Sequence, residues 1–278
     1  MPELPEVETM RRGLEPALGG TIAHVEFPEI PYRPIQISPE RDRWSSLLVG
    51  QRILAIDRIA KRVLVRTSNE LSIVMQPKMA GIAMVTDPPS DLHVRLIVHL
   101  DGAACDRILY WDRRGLGTVH LWDPQQCDAH LGPALLGPDA LAVELPEFIH
   151  RFRDLKRPIK PALLDQKRLA GVGNLYASEI LFRARIAPDR PCNELTHAQW
   201  KRMHTAMLDI LRAAIENQGS TLKDGTYRNA VNGEGQYQAQ HAVYDRADAM
   251  CVRCRKQKIV RIVQSQRSTF YCPRCQSS

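Results

Sequence analysis

Up to about residue 122 the chain reads as sheet. Runs in which apolar and polar positions alternate recur at 21–27, 52–59, 62–66, 71–75, 94–100, 107–111 and 117–122, and a period of two lays one face of a strand on a core. Loops rich in Pro, Asp and Ser separate them, most plainly Thr86-Asp-Pro-Pro-Ser-Asp91. Short strands at this spacing predict a sandwich or barrel. A helix precedes them: Pro5 suits its first position, and Val7, Met10 and Leu14 recur at helical spacing. From about Pro146 the pattern turns helical. The clearest helix follows Thr196, with Gln199 placed to close a capping box, and ends at Gly219. Trp200, Met203, Met207, Ile210, Leu211 and Ala214 share one face of it, a stripe that predicts core rather than a cofactor site. The segment from Gly132-Pro133 to Gly137-Pro138 reads as a linker, and 219–245 as a long mobile loop of the kind that carries function.

Charge sharpens this outline. The net charge is +7, with 44% hydrophobic and 25% charged residues, as in an ordinary globular protein. From Ala249 onward there are seven Lys or Arg and no acid, and 151–190 carries ten basic against four acidic residues. Positive charge gathered into two segments suits a polyphosphate partner, nucleic acid above all. The first fifteen residues include Glu3, Glu6, Glu8 and Glu15 and do not read as a signal peptide, and no run has the length of a membrane span. Cys105, Cys127 and Cys192 follow no spacing and are expected to be buried thiols, which fits a reducing cytoplasm.

Cys251-Val-Arg-Cys254 and Cys272-Pro-Arg-Cys275 are separated by seventeen residues. Two thiolates three positions apart in a tight turn can face one ion, and two such turns complete a tetrahedral shell. Two β-type runs, 258–263 and 268–271, lie between the pairs with Gln264-Ser-Gln-Arg267 at their junction. The segment therefore predicts a zinc-clamped hairpin presenting Arg267 at its tip.

The chain opens Met1-Pro-Glu-Leu-Pro-Glu-Val-Glu8. Loss of the initiator methionine leaves Pro2 as a secondary amine, and α-amino groups titrate near neutrality, so a usable fraction is unprotonated. Such an amine attacks a carbonyl-like carbon and yields a cationic iminium, an electron sink for elimination. Glu3 and Glu6 beside it offer proton transfer, although acids in a first helical turn also satisfy the helix dipole.

Three segments together resemble one family, the formamidopyrimidine-DNA glycosylase/endonuclease VIII group: Pro2-Glu-Leu-Pro-Glu-Val-Glu-Thr9, Asp165-Gln-Lys-Arg-Leu-Ala-Gly-Val-Gly-Asn-Leu-Tyr-Ala-Ser-Glu-Ile180, and the cysteine hairpin at 251–276. Leu4 resembles the formamidopyrimidine branch. The resemblance implies an α+β multidomain fold: an N-terminal β-sandwich domain with flanking helices (1–131), a helical helix–two-turn–helix domain with a lesion-recognition loop (132–245, loop 219–245), and a zinc-finger hairpin (246–278). It implies one structural Zn2+, a monomer acting on double-stranded DNA with oxidised bases or abasic sites, no membrane partner, and a bacterial cytoplasmic location.

The same resemblance assigns roles: Pro2 as nucleophile at the sugar C1′, Glu3 as acid/base for the deoxyribose, Glu6 as an acidic partner near Pro2, and Lys61 as a strand lysine on phosphate. Asn174, Arg267 and His93 are implied DNA contacts. Met79, Arg114 and Leu116 are implied to fill the space of an extruded base, and Thr226 and Tyr227 to offer backbone N–H groups to it. The implied reaction removes oxidised purines through a Pro2 iminium and β,δ-elimination. Three departures stand out. Leu116 takes a position usually held by Phe, Gln76-Pro-Lys-Met79 replaces a His-Leu-Gly-Met run, and Gln266 precedes Arg267 where Gly is common. They leave open a protein that binds damaged DNA without cutting it; an endonuclease VIII-like preference for oxidised pyrimidines is the other alternative.

Overall fold

The structure, a computed structural model, describes residues 2–221, 227–229 and 232–277. Met1, whose loss would free the Pro2 amine, and Thr226 lie outside the described residues.

The described chain forms two compact units, Met1–Gly132 with Ile215–Gln238, and Pro133–Ala214 with Ala239–Ser278. The segment 215–238 thus groups with the strands, and the cysteine hairpin with the helices.

In the first unit α1 (Leu4–Gly13) is followed by β1 (Thr21–Glu26), β2 (Gln36–Ser38), α2 (Asp42–Leu48), β3 (Ile53–Ile59), β4 (Arg62–Thr67), β5 (Ser72–Gln76), β6 (Gly81–Met84), β7 (Val94–Asp101), β8 (Arg107–Asp112), β9 (Thr118–Trp122) and α3 (Pro124–Leu131). Two sheets result, ordered β1-β7-β8-β6 and β2-β9-β5-β4-β3. Ile22, Val98 and Ile108 of one and Ile53, Val65, Ile73 and Val119 of the other meet in a single core, which makes the unit a sandwich. Each such side chain contributes about 1.5–3 kcal/mol on burial. Every strand expected from alternation is present. Two others, β2 and β6, are not readable that way: all four residues of β6 are buried, which erases alternation, and β2 is a three-residue strand paired in parallel with β9.

α1 begins at Leu4, so Pro5 stands second rather than first, with Glu3 as N-cap. Val7, Met10 and Leu14 are fully buried, and the helix packs on β3, β4 and β6.

The second unit contains α4 (Leu145–Phe152), α5 (Ile159–Leu163), α6 (Asn174–Ala184), most of α7 (His197–Glu216) and the hairpin β10 (Val260–Gln264)–β11 (Arg267–Tyr271). The Thr196/Gln199 capping box forms, with Thr196 N donating to Gln199 Oε1 at 2.8 Å and Gln199 N to Thr196 Oγ1 at 3.3 Å. The α7 stripe is buried as core, Trp200 meeting Phe148 edge-on at 5.8 Å. Among the described residues no helix is long and apolar enough to cross a membrane.

Candidate active site and nucleic-acid interface

Pro2, Glu3 and Glu6 are all buried at the head of α1. The Glu6 carboxylate joins two segments. Its Oε2 accepts the Glu3 N–H at 2.9 Å and its Oε1 accepts the Ser220 N–H at 2.9 Å. Gly219 makes the second contact possible. It sits at φ +78, in the left-handed region, and a Cβ there would lie 2.9 Å from Glu6 Cγ and Oε1.

Among the described residues after α7, Thr221 and Tyr227 are held more firmly than the composition of this segment predicts. Tyr227 is 5% exposed and belongs to the sandwich core, its hydroxyl donating to Gln218 O at 3.0 Å, while Thr221 Oγ1 donates to Tyr227 O at 2.9 Å. Burial first, then Glu6, push the Tyr227 hydroxyl pKa up. The Tyr227 side chain therefore anchors the loop.

Lys61 is in a turn rather than a strand. Ile59 pairs with Arg62, so Ala60-Lys61 is the two-residue connection between β3 and β4, with Ala60 at φ +55. Arg58 braces that turn, its Nη1 donating to Ala60 O at 3.0 Å and its Nε to Glu8 Oε2 at 3.1 Å. The turn carrying Lys61 is thereby tied to the helix that follows Pro2.

Met79 and Leu116 are half-buried, and both line one cavity of about 560 Å³ with Arg33, Lys78 and Gly115. Leu116 and Arg114 ride on a turn organised by a single buried acid. Asp112 Oδ1 accepts the N–H groups of Arg114 (2.9 Å) and Gly115 (3.1 Å), and Oδ2 those of Leu116 (3.1 Å) and Gly117 (2.7 Å). The Arg114 side chain itself is exposed. In the altered Gln76-Pro-Lys-Met79 run the left-handed residue is Met79, at φ +52, and not Lys78, so the lysine needs no glycine-like backbone. His93 is half-buried between Tyr32 (4.7 Å) and Trp111 (5.6 Å). Burial, then Arg95 and Arg113, hold its pKa below the ordinary value against Asp112.

In the second unit Asn174 is the first residue of α6, after the N-cap Gly173. Its amide is fixed at both ends: Lys160 Nζ donates to its Oδ1 at 2.6 Å, and its Nδ2 donates to Ser268 O at 2.9 Å. Lys160, 1% exposed, also donates to Thr269 Oγ1 at 2.8 Å. Sequence reading misses Lys160, because a lysine in a basic segment reads as solvated and its partner lies on β11, 109 positions away. Arg267 is exposed and opens β11, while Ser265 (φ +46) and Gln266 (φ +61) form the tip. Two left-handed residues in a two-residue loop suit the twist of a hairpin. Gln266 adopts this without a glycine.

The four cysteine sulfurs lie within 4.8 Å of one another, with Cys251–Cys275 and Cys254–Cys272 at 3.8 Å. Zn–S bonds of about 2.3 Å give a tetrahedron with edges of about 3.8 Å, so the set fits zinc. Arg253 locks this knuckle to α6, stacking on Phe182 at 4.1 Å and donating to its carbonyl at 2.8 Å. By contrast Cys127 and Cys192 are buried and Cys105 half-buried, and burial pushes the Cys192 thiol up to about 11.

Comparison with known proteins agrees with this geometry. The formamidopyrimidine-DNA glycosylase N-terminal domain model matches residues 1–119 and its H2TH domain model residues 136–226. A formamidopyrimidine-DNA glycosylase of Chloroflexus aurantiacus is 39% identical over 285 residues, spanning 99% of this chain and 98% of that protein. The chain belongs to the formamidopyrimidine-DNA glycosylase family.

Among solved structures of this glycosylase family, the MutM (Fpg) protein from Thermus thermophilus matches with TM-score 0.85 and 35% identity over 100% of this chain and 99% of that one. A mutant of the Lactococcus lactis Fpg in complex with Fapy-dG-containing DNA matches with TM-score 0.87 and 29% identity over 100% of both chains. The zinc finger found in FPG and IleRS matches residues 251–277, and with the sulfur geometry it assigns one structural Zn2+ to Cys251, Cys254, Cys272 and Cys275.

Proposed function

We propose that this protein is a base-excision-repair DNA glycosylase with abasic-site lyase activity, acting on 8-oxoguanine and formamidopyrimidines in double-stranded DNA. The observation that carries the reading is the buried Pro2-Glu3 terminus, held by a Glu6 carboxylate that also binds Ser220 N–H at 2.9 Å. Membership of the family and the likeness to Fapy-dG and abasic-site DNA complexes support it.

In this mechanism the Pro2 nitrogen attacks C1′ and the bond from C1′ to the base breaks, the base leaving with a proton. Glu3 protonates the deoxyribose ring oxygen, the ring opens, and the product is a cationic iminium. Loss of a C2′ proton expels the 3′-phosphate, and a second elimination expels the 5′-phosphate, leaving a one-nucleotide gap flanked by phosphates. Lys61, Asn174, Arg267 and His93 grip the backbone, and Met79, Arg114 and Leu116 occupy the space of the extruded base. Extrusion costs a few kcal/mol, so gripped phosphates and a filled gap are what it requires. Zinc holds the hairpin behind Arg267 and takes no part in the sugar chemistry.

The test is product analysis on matched duplexes carrying 8-oxoguanine, a formamidopyrimidine or an oxidised pyrimidine. Phosphate at both ends of the gap, with faster cleavage of the purine lesions, supports the reading. Faster pyrimidine cleavage assigns the endonuclease VIII-like branch instead, and binding without cleavage of any duplex overturns the enzyme assignment.

A further inference from the structure

Arg95 on β7 is 4% exposed, yet its charge is not neutralised by any ion pair among the described residues. Its Nε donates to the Asp112 carbonyl at 2.9 Å, while Nη1 and Nη2 are buried with no hydrogen-bond partner. A buried guanidinium is a costly group to leave with two nitrogens unpaired. Burial lowers its pKa, Asp112 and Tyr110 raise it, and Arg41 lowers it again.

The same side chain lines a cavity of about 230 Å³, together with Glu29, Tyr32, Pro34, Ile35 and Arg41. Two basic residues, Arg95 and Arg41, therefore line it against one acidic residue, and Glu29 is exposed. Pro34 and Ile35 also line the cavity that Met79 and Leu116 line, so the two cavities share part of one segment.

We infer that the cavity bordered by Arg95 and Arg41 is a binding site for a phosphate-type oxyanion. The planar guanidinium presents paired N–H donors to such oxygens and stays charged at every physiological pH. The anion has two possible sources, a backbone phosphate of bound DNA or a free phosphate. Occupancy would offset the charge of Arg95, whose Nε already holds the Asp112 carbonyl. This inference does not depend on the lyase chemistry.

Full-length protein is melted during titration with potassium phosphate against potassium chloride at matched ionic strength. The site predicts a saturable rise in melting temperature with phosphate alone, and an apparent dissociation constant at least about tenfold weaker in Arg95→Gln. Arg41→Gln, at an exposed position, provides the same test if the buried substitution does not fold. In a second arm, log Kd for an undamaged duplex is measured against log salt. A slope smaller by about one in either variant assigns the anion to DNA, and an unchanged slope alongside weakened phosphate binding assigns it to a free anion. Two results overturn the inference: no saturable phosphate effect on the wild-type protein with an unchanged slope, or phosphate binding that neither variant weakens.

Discussion

Glu6 and Ser220 are joined across 214 positions of chain by a hydrogen bond of 2.9 Å, from the Ser220 backbone N–H to the Glu6 carboxylate. Because the other Glu6 oxygen holds the Glu3 N–H, the segment after α7 and the start of α1 share one side chain. Gly219→Ala forces a Cβ to 2.9 Å from that carboxylate at a left-handed backbone. The expected cost is about 1–2 kcal/mol in stability, with a fall of at least about tenfold in excision rate, the equivalent of about 1.4 kcal/mol. Urea unfolding and single-turnover excision check both. Wild-type excision in the variant contradicts the coupling.

Asp112 offers a second test. Its two oxygens accept four backbone N–H groups, and Asp112→Asn turns one acceptor into a donor. Two charge-assisted bonds at about 1.5 kcal/mol each predict a loss of about 3 kcal/mol, read from the urea midpoint. A loss below about 0.5 kcal/mol would show that the turn does not rely on this carboxylate.

What is legible in the sequence is local. The CxxC pairs, the Thr196/Gln199 box and the α7 stripe each operate within a few residues, so spacing alone reports them. Asp112, Lys160 and Arg95 are opaque for different reasons: Asp112 acts on its neighbours through backbone groups that every sequence has, Lys160 through a partner on a distant strand, and Arg95 through two buried nitrogens that no hydrogen bond reaches. Lys61 is legible as a position but not as a turn residue, because only the Ile59–Arg62 pairing sets the hairpin register.

The connection into the zinc hairpin should be acid-sensitive. His241 is buried and its pKa is lowered from 6.5 to about 4, by burial first and by Arg246, with Asp245 opposing. Between those values the unfolded chain binds the proton more tightly, so stability is full above 6.5 and is lost as pH falls towards 4, by at most about 3 kcal/mol. Buried Glu179, which accepts the N–H groups of Ala242, Val243 and Tyr244, is shifted up and works in the opposite direction. His241→Gln should flatten the pH dependence of urea stability between 6.5 and 4. An unchanged slope in that window contradicts the buried neutral imidazole.

Metal removal should act on the DNA grip before the chemistry. Stripping zinc with a thiol-directed mercurial and a chelator releases the hairpin that carries Arg267 and that contacts Asn174 through Ser268 O at 2.9 Å. The expected result is release of one zinc per chain with weakened duplex binding, both reversed by thiol and zinc. Duplex affinity unchanged after complete metal loss contradicts a structural role for the ion.

The most direct test is borohydride trapping on a duplex with one 8-oxoguanine opposite cytosine. An iminium reduced in place leaves a covalent protein–DNA adduct on a denaturing gel, and the Pro2 mechanism predicts that adduct in the wild-type protein and its loss in Pro2→Gly. An adduct of equal yield in Pro2→Gly would move the nucleophile elsewhere, and no adduct on the lesion or on an abasic duplex, with binding retained, would contradict the lyase chemistry itself.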